Sequence, residues 1–444
     1  MSLRSLILAG SGLELFLLVF YLVGPSPEEV LLFIAVHALM FVAVWSIASR
    51  IDRVPEPDRR LLPVIIGFAL LFRLTLVWHD PVGSDDVYRY LWDGRVAAHG
   101  MNPFAHAPDD PALSGLHTEE LPAKVNFPEM RTIYPPLAQL VFLASAFAFG
   151  DSLAALKLGM VLFDCATIAL LLALLRRFAI RRTALLLYAW SPLPVLYFAL
   201  DGHVDAVGIP FLLAALLLAA RSRPVGTALA LAGAVLAKLH PLILAPLLVR
   251  LGSGWRALLY AAIPLLVLLA ASLPYLEPSG GLTESLLVYG SHWEFNGSVF
   301  WLLKLLLGSN QAAHLASGIA LLLWVGYLLL LERPFAERVF LALLGFFVLT
   351  PVVHPWYLTW LAVLMPLRRS QAVMLFLGLS ILSAIVVYRY RLTDIWREDL
   401  LILLVEYIPV YVLLVLEIRR GEFTREESLR RFPLTASRDL AVKT

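Results

Sequence analysis

The sequence predicts an all-α polytopic membrane protein with about 12 to 14 transmembrane helices. Of its 444 residues, 60% are hydrophobic and only 15% are charged, whereas a typical soluble domain has about 25% charged residues. The mean hydropathy is +0.81. Apolar runs recur along nearly the whole chain, and many approach the ~20 residues that a helix needs to cross ~30 Å of hydrocarbon.

These apolar runs define the predicted spans and four regions of the chain. The spans are 5–23, 28–49, 61–78, 153–175, 183–200, 203–220, 225–249, 255–275, 312–331, 336–353, 355–367, 371–388 and 399–418. The regions are two N-terminal helices in 1–60, a module with a large polar loop in 61–250, further helices in 251–418 and a basic tail in 419–444. The first run has no small-residue cleavage site, so we interpret it as a retained helix rather than a signal peptide.

Charge and cysteine content exclude other classes of protein. A net charge of +2 provides no basic field for nucleic acid, and no zinc-knuckle or helix-turn-helix spacing is present. The single cysteine, Cys165, excludes an intrachain disulfide framework. We therefore expect membrane lipids and no nucleic acid among the partners.

The distribution of charge between loops predicts their sidedness. Short loops rich in Lys and Arg stay cytoplasmic; here they are 50–60, 176–182, 221–223, 250–256, 331–338, 368–369 and the tail from 419. The loop 79–133, with nine acidic residues against four Lys or Arg, then lies outside. The other segments expected outside are 201–205, 238–241, 277–298, 354–357 and 388–394.

This assignment of loops to the two sides of the membrane requires that two of the apolar runs do not cross it as single straight helices. The short run 134–150 should lie along the external leaflet or dip into it, because a single crossing is required between 133 and 176. The run 225–249 should break at KLHP, residues 238–241, and form a pair of helices that meets on the external side. Irregular backbone at membrane depth requires a protein or water-lined environment.

The external stretch GSDDVYRYLWDGR, residues 83–95, combines acidic and aromatic residues directly after a span. Ser84 is expected to cap a short helix, with Asp85 and Asp86 in its first turn. Helical spacing then places Asp86, Tyr90 and Asp93 on one face, and Asp85 with Arg89 on the next. The alternative interpretation is a solvated amphipathic helix whose acids only cap it.

Polar residues within the apolar part of the chain are further candidates. Asp201, His203 and Asp205 in DGHVD could bind substrate or a metal ion, or could be ordinary cap residues. Lys238 could hold a phosphate or could snorkel to the interface. Asp164 could be functional, or it could bond to a neighbouring Thr or Arg.

HPWY, at 354–357, is the last candidate segment on the external side. His354 could donate a hydrogen bond to a phosphate or a sugar hydroxyl. Trp356 and Tyr357 fit an interfacial aromatic belt as well as a substrate cavity.

Several of these motifs occur in an order that resembles a known superfamily. The acidic pair after a span, D-x-x-Y-x-Y, DGRVAAHGMNPF, TIYPP, RRFAIRR and an SPLP…D turn resemble the GT-C membrane glycosyltransferases. Within that superfamily the chain looks like the polyprenol-phosphate-mannose-dependent mannosyltransferases. The resemblance covers about 61–241, with HPWY as a later match.

The resemblance implies a helical bundle whose first external loop, built from surface-parallel helices, holds the catalytic acid over a cavity open to lipid and water. By position it carries the role of general base to Asp85, with Asp86 as its neighbour, and the sequence does not choose between them. A phosphate leaving group also needs cations or hydrogen-bond donors close to it. The residues expected to bind the donor phosphate or sugar are Arg89, Arg131, Lys238, His240 and His354. The expected substrate cavity contains Tyr88, Asp93, Tyr134, Asp201, His203, Asp205, Trp356 and Tyr357.

The predicted function is that of an inverting glycosyltransferase. It would move a hexose such as mannose from a polyprenyl-phosphate sugar to a lipid or glycan acceptor, on the outer face of a bacterial cytoplasmic (inner) membrane. No cofactor is assigned, and a divalent metal ion stays open because members of the superfamily differ in requiring one. The alternative is a secondary transporter or lipid flippase, in which Asp164, Lys238 and the broken helix would form a midplane site.

Overall fold

The computed structural model describes residues 1–22, 29–53, 58–276, 281–393, 395–424 and 426–427. Within these ranges the regular structure is helical, and the extended pairings are isolated bridges from Phe295 and Asn296 to Val352. The predicted all-α class is confirmed. Most of the predicted basic tail, 419–444, lies outside the described residues.

The first half of the chain contains long helices, shorter helices and one bent segment. Its helices are α1 (Leu3–Leu22), α2 (Glu29–Asp52), α3 (Leu61–Leu76), α4 (Asp86–Ala98), α5 (Pro136–Phe149), α6 (Leu153–Arg177), α7 (Leu186–Ala189), α8 (Pro192–Pro194), α9 (Asp205–Ala220) and α10 (Pro224–Ala237). A π-helix, Val195–Leu200, continues α8. Proline at the start of α5, α8 and α10 fits their first turns, where an amide hydrogen is not needed.

The second half contains both membrane-length and short helices. They are α11 (Ala245–Leu251), α12 (Trp255–Ser272), α13 (Gly281–His292), α14 (Ser298–Leu307), α15 (Asn310–Leu330), α16 (Phe335–Leu349), α17 (Thr359–Ala362), α18 (Gln371–Leu379), α19 (Ala384–Thr393) and α20 (Leu400–Arg419). Short 3-10 turns, Pro355–Leu358 and Ser380–Ser383, lead into α17 and α19.

Seven helical segments of the described chain are long and apolar enough to cross a membrane. They are Leu3–Leu22, Glu29–Ile51, Leu153–Arg177, Trp255–Tyr275, Asn310–Leu330, Gln371–Thr393 and Leu400–Arg419. The pair Arg182–Ala189 and Pro192–Leu200, bent by 50°, makes an eighth if it is one span. The chain is a multi-pass membrane protein, but several predicted spans are short helices: α3 has 16 residues, about 24 Å at ~1.5 Å per residue.

Both predicted irregular runs are short or broken helices. The run 134–150 contains α5, which has 14 residues and packs on α4 so closely that a Cβ on Gly94 would lie 2.5 Å from the Phe142 carbonyl oxygen. The break at KLHP is confirmed, because α10 ends at Ala237 and Lys238 is extended. A 3-10 turn, His240–Leu244, then leads into α11.

Asp164 serves helix packing. Its carboxylate binds Arg73 Nε at 2.5 Å and accepts a hydrogen bond from Tyr188 Oη at 2.5 Å. Arg73 also donates to the Ala69 and Ala189 carbonyls, both at 2.8 Å. Arg73 and Asp164 are fully buried. The network joins α3, α6 and α7, because Arg73, Asp164 and Tyr188 lie on these three helices. The structural interpretation of Asp164 is therefore the one that the contacts support.

Polar segments with the same predicted sidedness contact one another. Among the basic segments, Arg177 Nη2 donates to the Ala220 carbonyl at 2.7 Å and Arg368 Nε pairs with Glu337 at 3.4 Å. Described residues of the segments predicted to lie outside also contact one another. Lys238 pairs with Asp205 at 3.1 Å, the hydroxyls of Tyr289 and Tyr357 lie 2.8 Å apart, and Arg391 donates to the Val82 carbonyl at 2.7 Å. These contacts agree with the predicted grouping of the loops concerned, while the side of the membrane on which each group lies stays a prediction.

Candidate active site

The loop before α4 is fixed by the first acid of DGHVD. Asp201 Oδ1 accepts hydrogen bonds from the backbone amides of Val82 at 2.8 Å and Gly83 at 3.1 Å. A Cβ on Gly83 would lie 2.5 Å from Asp201 Oδ2, so only glycine fits there without a shift. Arg391 Nη2 holds the same loop by donating to the Val82 carbonyl at 2.7 Å.

The start of α4 differs from the prediction by one residue. The helix begins at Asp86, and Asp85 occupies the N-cap position without capping it. Ser84 still contributes, because its Oγ accepts from the Asp86 amide at 3.3 Å. The Asp85 side chain accepts a hydrogen bond from Asn126 instead. The two acids therefore have different surroundings, which the sequence could not distinguish.

Asp86 is the acid that points into the assembled polar cluster. Its side chain is 28% exposed, and His203 Nδ1 lies 3.8 Å from its Oδ2 atom. Tyr134 Oη donates to the same oxygen at 3.4 Å. Burial, and then the negative charge of Asp85, raise the pKa of Asp86 to about 6, although the Lys238 ammonium lowers it in part. Asp86 therefore has the raised pKa typical of a catalytic acid or base.

Lys238 is the cation whose charge acts on this carboxylate. Its Nζ atom binds Asp205 Oδ2 at 3.1 Å and lies 4.3 Å from the centre of the Tyr357 ring. The other oxygen of Asp205 accepts from Trp360 Nε1 at 2.8 Å. Tyr289, from α13, closes the cluster because its hydroxyl lies 2.8 Å from that of Tyr357. The lysine is thus held by a cation–π contact and an ion pair, not by snorkelling alone.

A stack of four rings forms one wall of the cluster. Trp356 is sandwiched between His203, at 4.0 Å between ring centres, and His354, at 4.2 Å. Phe295 continues the stack at 4.5 Å from His354. Burial and then the Lys238 charge lower the pKa of His354 to about 3 and that of His203 well below its usual value. Both imidazoles are therefore neutral at pH 7, and Trp356 is buried in the site instead of lying in an interfacial belt.

Other predicted site residues have different partners. Arg89 pairs with Asp93 at 2.9 Å, not with Asp85 as the spacing predicted, and also donates to the Met130 carbonyl at 2.9 Å. Asp93 accepts from Gln139 at 3.0 Å. This network ties α4 to the segment that carries Tyr134, so it supports the site indirectly.

Three more candidates contact residues other than Asp86, although one of them, His240, touches the cluster through Trp360. Arg131 binds Glu284 of α13 at 3.0 Å, and Tyr88 lies 5.1 Å from Lys124 Nζ in a cation–π contact. His240 stacks on Phe346 at 5.3 Å, with its ring edge toward Trp360.

DGHVD does not present its three side chains to one point. Asp201 faces the Val82–Gly83 loop, His203 faces Asp86 and Asp205 faces Lys238. In the described part of the chain, no group of three His, Cys, Asp or Glu side chains lies close enough to hold a metal ion. The motif instead distributes three buried polar side chains to three parts of the site, and the left-handed turn at Gly202, with φ of +73°, allows this.

Three residues that the motifs did not single out also belong to the site: Tyr289, Trp360 and Arg391. Tyr289 and Trp360 contact the predicted site residues Tyr357 and Asp205 from distant parts of the chain. Arg391 contacts Val82 in the loop before Asp86. Tyr289 and Arg391 lie in segments that were predicted to be external, and that sidedness was the one available signal. Trp360 lies within an apolar run with no such signal.

Comparison with known protein families identifies the family of this chain. A family model described as alpha-(1->6)-mannopyranosyltransferase, N-terminal domain, matches residues 13–253, just over half of the chain. The chain belongs to this mannosyltransferase family. It is therefore a membrane glycosyltransferase of the GT-C type, and the resemblance stated above is confirmed. No curated protein matches the chain. No solved structure matches it either.

The residues that the family model matches contain only part of the candidate site of this mannosyltransferase. It includes the acidic pair, DGHVD and Lys238. Tyr289 and the HPWY segment lie beyond residue 253, in the part of the chain that the family model does not match. The cluster thus joins the family domain to the C-terminal helices.

Proposed function

We propose that this mannosyltransferase takes mannose from a polyprenyl-phosphate mannose and transfers it to the 6-hydroxyl of a sugar in a lipid or glycan acceptor. The reaction takes place on the outer face of a bacterial cytoplasmic membrane. The family description supports the sugar and the 1->6 linkage. The observation that carries the mechanism is a half-buried carboxyl group, Asp86, whose pKa is raised and which feels the charge of Lys238.

Asp86 is the general base of the proposed reaction. Its Oδ2 atom faces Tyr134 and His203, so Oδ1 is the oxygen that receives the proton of the acceptor hydroxyl. The acceptor oxygen bonds to the anomeric carbon from the side opposite the phosphate, and the bond between that carbon and the phosphate oxygen breaks with inversion. A base with a pKa of about 6 is mostly ionised at pH 7 and is stronger than an ordinary aspartate.

Lys238 stabilises the leaving group. As the bond to the anomeric carbon breaks, negative charge grows on the phosphate of the lipid donor, and a fixed cation in a poorly hydrated site lowers the energy of that state. The ion pair with Asp205 and the Tyr357 ring fix the ammonium before the donor arrives. An external donor is expected to be a lipid, because nucleotide sugars are cytoplasmic as a class.

The rival function, a transporter or flippase, relied on Asp164 and Lys238 as one midplane site. Asp164 is instead engaged by Arg73 and Tyr188 within the helix packing, and Lys238 pairs with Asp205. These contacts favour the enzyme over the rival.

Reconstituted full-length protein tests the proposal. The assay supplies polyprenyl-phosphate mannose and a synthetic α-mannoside with a free 6-hydroxyl, and its control acceptor is the 6-deoxy analogue. We expect transfer to the first acceptor alone, a loss of about 10²-fold or more in Asp86→Asn, and substantial activity in Asp85→Asn. Transfer from a nucleotide-activated mannose without any lipid donor would contradict the donor assignment. Full activity of Asp86→Asn would contradict the assignment of the base.

A further inference from the structure

His203 is a fully buried imidazole without a hydrogen bond. Neither Nδ1 nor Nε2 has a partner within the residues that the structure describes, and its side chain is 0% exposed. A buried polar group that stays unpaired destabilises a fold, so each such group calls for a physical explanation. The usual structural explanation, a core histidine satisfied by its neighbours, does not apply here.

The ring of His203 is held in one orientation. Its face stacks on Trp356 with an angle of 15° between the planes, and Tyr197 lies 5.9 Å away between ring centres. The edge that carries Nδ1 therefore faces Asp86 Oδ2, at 3.8 Å. This distance exceeds that of a hydrogen bond, but catalytic hydrogen bonds are often long before substrate binds and shorten in the reacting complex.

We infer that His203 is a positioning residue for Asp86: its Nδ1–H group donates to Oδ2 when the acceptor is bound, which turns Oδ1 toward the acceptor hydroxyl. The inference rests on the proposed function of Asp86. Like the histidine-orienting carboxylate of a catalytic triad, a partner fixes one atom of the base so that the other atom accepts the proton. The imidazole itself gains and loses no proton in this step.

The pH dependence of transfer reports this contact. The titratable and charged groups that face Asp86 are Asp85, Tyr90, Tyr134, His203, Asp205, Lys238, Tyr289 and Tyr357. Of these, His203 is neutral and contributes a hydrogen atom rather than a charge. An N–H that donates to the carboxylate favours its ionised form. The contact forms in the complex with the acceptor, and kcat reports the ionisation of groups in that complex. Loss of this donor should therefore raise the pH at which kcat falls to half on the acid side, which we call the acid midpoint.

The experiment compares two substitutions that separate the ring from its nitrogens. His203→Phe keeps a ring on Trp356 but has no N–H, whereas His203→Asn has no ring but places an amide N–H near the position of Nδ1. In the reconstituted full-length protein, we expect His203→Phe to raise the acid midpoint by roughly one pH unit and to lower kcat. His203→Asn should keep the midpoint within a few tenths of a unit. His203→Ala provides the same loss of N–H if the phenylalanine variant does not fold.

His354→Phe is the matched control, because it makes the same change on the opposite face of Trp356. Whatever its rate, its acid midpoint should equal that of the parent protein. An unchanged midpoint in His203→Phe or His203→Ala, or an equal shift in His203→Asn, would overturn the inference. Asp86→Asn in the same assay distinguishes the two failures: if it is inactive while the His203 variants keep the parent midpoint, only the role of His203 is wrong.

Discussion

Lys238 Nζ lies 3.1 Å from Asp205 Oδ2 and thereby links the end of α10 to the start of α9. Asp205 is fully buried, whereas the side chain of Lys238 is 16% exposed. The carboxylate therefore depends on the lysine for its neutralisation, while the lysine keeps a path toward the site. Stability and donor binding should respond differently when this pair is changed.

Lys238→Met should lower both stability and donor affinity. It leaves a buried carboxylate without its cation, and removing one partner of a buried ion pair costs about 3–5 kcal/mol, with a smaller effect expected here because Lys238 is partly exposed. We expect a lower Tm and a donor KM at least tenfold higher. The double variant Lys238→Met/Asp205→Asn should recover much of the Tm but not the KM. A parental KM in the double variant would rule out a donor-binding role for Lys238.

Transfer should lose activity as the pH falls through about 6. The carboxylate of Asp86, with its pKa raised to about 6, is the active form, so kcat/KM should fall about tenfold for each pH unit below that value. Asp85→Asn removes the negative charge that helps to raise this pKa, so the fall of its kcat/KM on the acid side should move to lower pH. The measurement is kcat/KM from pH 4.5 to 8, and an upward shift in Asp85→Asn would contradict the assignment.

Gly83→Ala should impair transfer while the protein stays folded. The new Cβ would lie 2.5 Å from Asp201 Oδ2 and 2.9 Å from the Phe33 ring, so the loop that leads to Asp86 must shift. We expect kcat to fall at least tenfold. Gly115→Ala is the control, because a Cβ there meets nothing within 4 Å, and it should keep the parental rate. Equal activity of the two variants would show that the loop position is unimportant.

Arg73→Met should destabilise the protein strongly without any direct effect on chemistry. The variant leaves the buried Asp164 carboxylate without its cation, which costs about 3–5 kcal/mol. Arg73→Met/Asp164→Leu should recover most of that loss. The surface pair Arg60–Asp58, with side chains 75% and 33% exposed, gives the control Arg60→Met, which should leave the Tm nearly unchanged because exposed ion pairs contribute little to stability. Thermal unfolding in detergent measures all three.

The external position of the site can be tested by labelling. In a Cys165→Ala background, Ser114→Cys lies in the large acidic loop and Ser253→Cys lies between two arginines predicted to be cytoplasmic. Both serines are exposed. An impermeant thiol reagent added to intact cells should label Ser114→Cys alone, and permeabilised cells should label both. The reverse pattern would place the site on the cytoplasmic side.

Much of the architecture follows from local properties of the sequence. Hydrophobicity and helical length predicted the all-helical membrane class, and charge counts predicted a grouping of the loops with which several observed contacts agree. The break after Ala237 was predictable because Lys238 and Pro241 interrupt an apolar run. Motif order identified the GT-C resemblance, which the family comparison confirmed.

Only the tertiary structure distinguished Asp86 from Asp85, two identical side chains at adjacent positions. The choice depends on Tyr134 and His203, which lie 48 and 117 positions along the chain. The same holds for Asp205, whose partner Trp360 is 155 residues away. Local sequence sets helix length and charge because these depend on neighbouring residues. The surroundings of a carboxylate depend on which distant helices pack against it, and so does its pKa.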